Sequence, residues 1–451
     1  MSTTIEHAAW QADRFRSAPD TVGMVWHDRE FTYGDFLTEL DRWRSLLDEH
    51  EVQPGDSVGV LGDYSPRSVT CLLALLERRC ILVPLSWESR DQHEDFFGIA
   101  ELDVLIEMDR EDGAEFRRMD LRKSHPMLEE LRARDHAGLC LFSSGSTGKP
   151  KGMVHDLEPL LEKFRKPRKT LRTINFLLFD HIGGVNTIFY TLANLGCTVV
   201  PLDRSVSEVC RAVEAHGVEL LPTSPSFLNL MLLANAADQR DLSSLKLITY
   251  GTEVMPERTL RMATEAFPEA RFQQTYGLSE LGILRSKSKD NASLFVRVGG
   301  EGFETRVVDG TLRIRAKSSM LGYLNAPSPF DEEGWFDTGD AVIEEGEFYR
   351  ILGRESDLIN VGGQKVFPAE VERVISEMPE VIEVAVRGEE HMILGQVVVA
   401  TVQMAELRPA VEVKRAIAKY AKGRLQRYMV PSKVEVVTES PVNYRFKKVR
   451  R

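Results

Sequence analysis

The sequence predicts an α/β protein with a large N-terminal α/β body, a small β-rich region closing that body, and a small α+β unit at the C-terminus. Three observations predict it. Short β-branched runs alternate with amphipathic helical stretches through the first half, paired strands with tight turns take over from about Phe295, and a strand–helix–strand pattern restarts after Leu352-Gly353-Arg354. At 451 residues the chain exceeds a single compact core, since domains hold roughly 100–200 residues each.

In chain order, VGVLG (58–62), SVTCLLALLERRC (68–80) and ILVPL (81–85) read as strand, helix and strand, and CTVVPL (197–202), SVSEVCRAVEAHG (205–217) and VELLPT (218–223) repeat the pattern. Such alternation makes βαβ units and parallel sheet. In ETRVVDGTLRIRAK (304–317) the pair Asp309-Gly310 marks a hairpin. After Arg354 come a strand in DLINVGG (357–363), a helix opened by Pro368, strands VIEVAVRG (381–388) and QVVVATVQM (396–404), and a long helix over about 409–425. The domain boundary is therefore placed between 353 and 354, giving units 1–353 and 354–451.

Composition narrows the function classes. A net charge of −12 disfavours a protein that tracks a nucleic-acid backbone. Five scattered cysteines, Cys71, Cys80, Cys140, Cys197 and Cys210, include no CxxC, so neither a zinc site nor a disulfide framework is predicted and a reducing cytoplasm fits. The N-terminus lacks a basic segment followed by an apolar one, and no run of 18 or more apolar residues occurs; neither export nor a membrane span is expected.

The segment LCLFSSGSTGKPKGMVH (139–155) is an apolar strand, a Ser/Thr/Gly loop with two lysines, and a return to apolar sequence. Small residues bring backbone N–H groups close to phosphate oxygens, hydroxyls donate, and lysine supplies charge. The loop is not GxxxxGK[ST]: Gly145 and Gly148 are three apart, and Pro150 follows Lys149. Taken alone, a surface loop of common composition also accounts for it.

SSGSTGKPKG resembles the signature of the adenylate-forming superfamily, which contains acyl- and aryl-CoA synthetases, nonribosomal peptide adenylation domains and luciferases. Further matches follow in the family's order: TYGLSE (275–280), GYLN (322–325), GWFDTGD (334–340), GRESDLINVGGQKVFPAEVE (353–372) and PVNYRFKKVRR (441–451). The resemblance implies that ATP and a carboxylic acid form an acyl adenylate, with Mg²⁺ assisting, and that a thiol of CoA or of carrier-protein phosphopantetheine then takes the acyl group. It also implies a mobile C-terminal domain. With no carrier domain visible within these 451 residues, the acceptor is expected to arrive in trans.

By resemblance, Ser143, Ser144, Gly145, Ser146, Thr147, Gly148 and Lys151 cradle the β- and γ-phosphates. Ser279 touches the α-phosphate, Glu280 holds Mg²⁺, and Tyr276 stacks on adenine. Thr252, Glu253, Thr275 and Gly277 join the nucleotide site, while Asp340 and Arg354 hold the ribose. The catalytic lysine follows a proline by six residues and precedes an arginine by three; Pro441, Lys447 and Arg450 fit both counts. Lys448, which keeps the family's Lys-Val pairing, is the second candidate. Gly362 and Gly363 line the thiol tunnel. Ser356 stands at the hinge, where Asp or Lys is usual, and RFKK replaces the usual small residues before the lysine.

The acid pocket is implied between the adenylate site and the segments FDHIGGVNT (179–187), TYGTE (249–253) and the residues after Tyr276. FDHIGG has two alignments. On His181 and Gly184 it resembles the HxxG of acyl- and aryl-CoA synthetases, whose imidazole gates the acid. On Phe179 and Asp180 it resembles amino-acid adenylation domains, whose aspartate pairs with a substrate ammonium. The first is preferred because IGG follows the histidine; a structural histidine is the third reading. Gly251 and Thr252 stand where two glycines are common, and Pro222, Ser224 and Phe227 are assigned to the other wall. The leading expectation is an acyl- or aryl-acid ligase. The alternatives are a stand-alone amino-acid adenylation enzyme and a catalytically silent nucleotide- or acyl-binding paralogue.

Overall fold

The computed structural model describes residues 10–109, 111–144 and 149–438. Strand Ser57–Leu61, helix Pro66–Glu77 and strand Ile81–Leu85 form the first βαβ unit, with the two strands parallel in register Ser57↔Ile81 to Leu61↔Leu85. Ser65 opens the helix, accepting from Ser68 N–H while the Ser68 hydroxyl oxygen accepts from Ser65 N–H, and Pro66 fills the first turn. The second unit runs through Thr198–Val200, helix Val206–His216 and Leu220–Thr223.

Two seven-stranded sheets make up the N-terminal body. One is ordered Gly322–Tyr323, Pro150–Asp156, Gly138–Ser144, Ile81–Leu85, Ser57–Leu61, Val104–Met108 and Ala114–Arg118; the other is ordered Arg271–Gln274, Leu247–Tyr250, Leu220–Thr223, Thr173–Ile174, Thr198–Val200, Val22–Trp26 and Arg29–Thr32. One buried core joins the two layers: Val58, Val60 and Leu82 of the first sheet and Met24 of the second pack with helices Tyr33–Glu49, Pro66–Glu77 and Ile182–Ala193. Each fully buried large apolar side chain there contributes about 1.5–3 kcal/mol.

An antiparallel six-stranded sheet follows, built from Ser286–Ser288 through Phe348–Arg354. Its hairpin turns at Asp309-Gly310, with φ of 52° and 81° and Val308 facing Thr311, the conformation that dipeptide favours. The strand Phe348–Arg354 runs beside Phe336–Glu345 until Arg354 faces Asp340. The turn Glu355–Asp357 then leads into the smaller C-terminal domain, a five-stranded sheet with helices Pro368–Ser376 and Ala410–Ala421 and its own core. The second helix is shorter than the pattern over 409–425 predicts, because the N–H groups of Arg424 and Leu425 both turn back to the Ala421 carbonyl at 2.9 Å.

The topology sets the site. Thr223, Tyr250 and Gln274 lie abreast at the carboxyl ends of three adjacent parallel strands. Ser224, Gly251 and Thr275 consequently leave the sheet side by side, where ligands of open α/β sheets bind.

Candidate active site

Strands Gly138–Ser144 and Pro150–Asp156 form a hairpin with Ser143 opposite Lys151 and Ser144 opposite Pro150. Gly145, Ser146, Thr147 and Gly148 at its tip, and the Ser144 side chain, lie outside the described residues, as do Lys447 and Lys448. The returning arm is fixed by Asn325, whose Oδ1 accepts from Gly152 N–H (3.1 Å) and whose Nδ2 donates to the Pro150 carbonyl (2.8 Å). The strand Gly322–Tyr323 pairs with the same arm and carries the Tyr323 ring to 5.1 Å from the Lys151 ammonium.

Tyr323 also donates a 2.7 Å hydrogen bond to Glu280 Oε1. Burial first, and then the Glu280 carboxylate, push the Tyr323 hydroxyl well above its ordinary pKa, so it stays protonated and donating. Three segments far apart in sequence thus converge on one tyrosine. Beside them, the buried His155 lies 2.7 Å through Nε2 from the Ser279 carbonyl. Burial pushes its pKa down to about 4; a neutral ring with its proton on Nε2 makes that hydrogen bond and supports the Ser279-Glu280 backbone.

Tyr276 lies on a hairpin, Tyr276–Leu278 against Gly282–Leu284. Gly277 has no room for a side chain there: a Cβ would stand 2.6 Å from Ile283 Cδ1 and 2.9 Å from the Gly282 carbonyl oxygen. The Tyr276 hydroxyl donates to Asp340 Oδ2. Arg354 Nε lies 3.5 Å from Asp340 Oδ1, across the strand pairing. Asp340 is 7% exposed; burial raises its pKa, against the Tyr276 hydroxyl and the Arg354 guanidinium.

The candidates for the acid pocket divide between two places. Gly251 and Thr275 touch, a Cβ on Gly251 standing 2.6 Å from Thr275 Oγ1, and Thr275 opens onto a cavity of about 460 Å³ that Asn186, Ile283 and Leu284 also line. Ser224 accepts from Phe227 N–H and caps helix Pro225–Leu233. Glu253 accepts from the Ser226 hydroxyl at 2.6 Å. Thr252 has φ of 71°, a left-handed conformation that is strained for a β-branched residue and natural for glycine. The FDHIGG segment faces elsewhere. Phe179 packs edge-on against Tyr64 in the core, and Asp180 accepts from Ser86 Oγ at 2.8 Å. His181 Nδ1 accepts from Gly183 N–H at 3.2 Å and caps helix Ile182–Ala193, while a Cβ on Gly184 would strike the Leu178 carbonyl oxygen and the Tyr64 hydroxyl. None of these four lines the cavity.

In the C-terminal domain, Gly362 and Gly363 turn the hairpin between Ile359–Val361 and Gln364–Val366, with φ of 59° and 84°. Gly362 N–H donates to the Leu394 carbonyl at 2.8 Å. Ser356 is exposed in the turn after Arg354.

Residues 10–324, more than half of the chain, match the family described as AMP-binding enzyme. The chain belongs to the AMP-binding enzyme family. Residues 370–447 match the AMP-binding enzyme C-terminal domain, a span that includes Lys447. Curated relatives of this AMP-binding enzyme include the indoleacetate–CoA ligase of Aromatoleum aromaticum, 24% identical with 94% of this chain and 92% of that protein covered. They also include the 2-succinylbenzoate–CoA ligase of Bacillus subtilis, 25% identical with 97% and 96% covered. Among solved structures, the anthranilate CoA ligase AuaEII in complex with anthranoyl-AMP matches with a TM-score of 0.82 at 22% identity, covering 98% of this chain and 95% of that one. The o-succinylbenzoate CoA synthetase of Bacillus subtilis in complex with its acyl-adenylate intermediate gives 0.77 at 22% identity, covering 98% and 96%. These structures share the fold of this AMP-binding enzyme.

The sequence reading of this AMP-binding enzyme did not assign Tyr323, Asn325 or His155 a place in the site. GYLN contained the signal for the first two, as a motif without an assigned role. His155 stood at the end of the quoted phosphate-loop segment, where nothing distinguishes a buried histidine from an exposed one. No helix among the described residues is long and apolar enough to cross a membrane.

Proposed function

We propose that the protein activates a carboxylic acid as its adenylate and transfers the acyl group to a thiol. One carboxylate oxygen of the acid attacks the α-phosphorus of ATP, the bond to the bridging oxygen breaks, and pyrophosphate leaves. The thiol sulfur then attacks the acyl carbon of the mixed anhydride, AMP departs, and the thiol proton passes to solvent. The observation that carries this reading is the convergence of Lys151, Tyr323 and Glu280 beside the Tyr276–Asp340–Arg354 cluster, next to a cavity that begins at Thr275.

In this reading Ser143, Ser144, Gly145, Ser146, Thr147, Gly148 and Lys151 bind the β- and γ-phosphates and Ser279 the α-phosphate, while Asp340 accepts hydrogen bonds from the ribose hydroxyls and Arg354 assists by orienting Asp340. Among the described residues no three His, Cys, Asp or Glu side chains gather as a metal site. A lone Glu280 carboxylate with one oxygen on Tyr323 fits Mg²⁺, which takes few protein carboxylates and completes its shell with phosphate oxygens and water. Bound there, Mg²⁺ neutralises charge on the leaving pyrophosphate. Lys447, with Lys448 as the second candidate, stabilises charge shared by the acid and the α-phosphate. The unit 354–451 turns about Ser356 between the two steps, bringing Gly362 and Gly363 to the thiol.

CoA is the proposed acceptor, a carrier-protein phosphopantetheine the alternative. Five buried cysteines without a disulfide among them support a reducing, cytoplasmic setting. The test is incubation of the full chain with ATP, Mg²⁺, CoA and an acid panel, with AMP and thioester quantified together. Equimolar AMP and thioester support the proposal; ADP formation, or thioester without AMP, contradicts it.

A further inference from the structure

The cavity that opens at Thr275 is bordered by Lys163, Arg168, Arg285, Lys287 and Arg297 and by no Asp or Glu, in a chain of net charge −12. Arg297 is paired with Glu347 at 2.9 Å. Among the described residues the other four form no ion pair.

Lys163 is the innermost of them. It sits on helix Leu157–Arg165, and its ammonium donates to Asn186 Oδ1 at 2.7 Å and to the Ile283 carbonyl at 2.9 Å. Both acceptors are neutral, and an ammonium has a third N–H to give. Burial, and then the fields of Arg285 and Arg168, push its pKa down to about 7. A cation held beside two more cations with no counterion is costly, and an anion entering the cavity offsets that cost.

The activated carboxylate cannot be that anion. It must meet the α-phosphate at the Tyr276–Ser279 segment, whereas Arg285 precedes and Lys287 lies within strand Ser286–Ser288, which follows the Gly282–Leu284 arm of the hairpin in the chain and packs against Gln274. Ile283 and Leu284, which lie between them in the chain, also line the cavity and offer an apolar wall for the body of the acid. An acid with its reacting end at Thr275 therefore points its far end at the cations.

We propose that the acid this protein activates is a dicarboxylate, whose second, unreacted carboxylate is received by Lys163 and Arg285 at the far side of the Thr275 cavity. The inference rests on the acid-activation reading and adds the substrate class. Lys163 and Arg285 act by binding and select the acid; they take no part in phosphoryl or acyl transfer. Arg168 and Lys287 draw the dianion towards the opening.

The test pairs acids that differ only in the second carboxylate, benzoate with terephthalate and hexanoate with adipate. Each is titrated calorimetrically into the full chain and into Lys163→Gln and Arg285→Gln, and each is also assayed for ATP–pyrophosphate exchange. A glutamine in place of Lys163 retains a donor for Asn186 and Ile283, and Arg285 is exposed, so at least one variant folds. The expected result is that in one scaffold the diacid binds at least about tenfold more tightly than its partner, an advantage that falls below about threefold in both variants. Equal binding of the pair, binding of neither, or an advantage that survives both substitutions overturns the inference, as does a loss of ATP affinity in the variants without any diacid advantage. Exchange separates the two readings: turnover of monoacids alone keeps acid activation and sinks the dicarboxylate, whereas a diacid advantage in binding without exchange keeps the cation pocket and sinks the ligase.

Discussion

The Tyr323 hydroxyl donates to Glu280 Oε1 at 2.7 Å while the face of the same ring receives the Lys151 ammonium at 5.1 Å. One side chain thereby spaces a cation and an anion drawn from two other segments. A hydrogen bond to a charged group is worth about 1.5–3 kcal/mol, so Tyr323→Phe should lower kcat/KM for ATP by about tenfold or more and raise the magnesium concentration needed for half-maximal rate. Glu280→Gln should lose at least about a hundredfold. A magnesium titration curve unchanged by Tyr323→Phe would show that the contact does not position Glu280.

Asp340 lies between the Tyr276 hydroxyl and Arg354. If its carboxylate takes the ribose hydroxyls, Asp340→Ala raises KM for ATP by about tenfold or more. The sharper check is substrate-based: 2′-deoxy-ATP should be a much poorer substrate than ATP for the native protein and nearly equal to ATP for Asp340→Ala. A variant that still discriminates between the two nucleotides places ribose recognition elsewhere.

Thr252 is strained by its left-handed φ of 71°. Glycine adopts that conformation freely, and the strain it relieves, about 1–2 kcal/mol, exceeds its own extra chain entropy of about 0.5–1 kcal/mol. Thr252→Gly should therefore raise the thermal midpoint slightly. A lower midpoint would mean that contacts of the Thr252 side chain outweigh the strain.

His155 makes stability depend on pH. Its folded pKa of about 4 lies below the ordinary 6.5, so the unfolded chain binds the proton first as pH falls. The stabilisation is complete above 6.5, declines through the interval from 6.5 to 4, and is gone below it. Over about 2.5 pH units at about 1.4 kcal/mol each, it amounts to about 3 kcal/mol. In His155→Gln the thermal midpoint should vary less between pH 6.5 and 4 than in the native protein; parallel curves would contradict a neutral, buried imidazole.

The βαβ texture, the hairpin at Asp309-Gly310 and the restart after Arg354 were legible because each depends on local pattern: β-branched runs, a turn dipeptide, a proline-opened helix. Family membership was legible because SSGSTGKPKG, TYGLSE and GWFDTGD stand in the order of the family they resemble. The role of Tyr323 was not, since its contacts join positions 151, 280 and 323 and no local pattern encodes that meeting. FDHIGG carried two readings for the same reason. Only the fold reveals that Asp180 turns to Ser86 and that His181 caps its own helix. The cations around Lys163 come from three separate segments and were invisible until the sheets brought them to one cavity.

Acid-dependent ATP–pyrophosphate exchange, run across aliphatic, aromatic, dicarboxylic and amino acids with the native chain, Lys447→Ala and Lys448→Ala, tests the central claim most directly. Adenylate formation predicts strong exchange with one acid class and its loss, by a hundredfold or more on the scale of about 1.4 kcal/mol per decade, in one of the two lysine variants only. No exchange with any acid despite measurable ATP binding, or equal and mild losses in both variants, would contradict it.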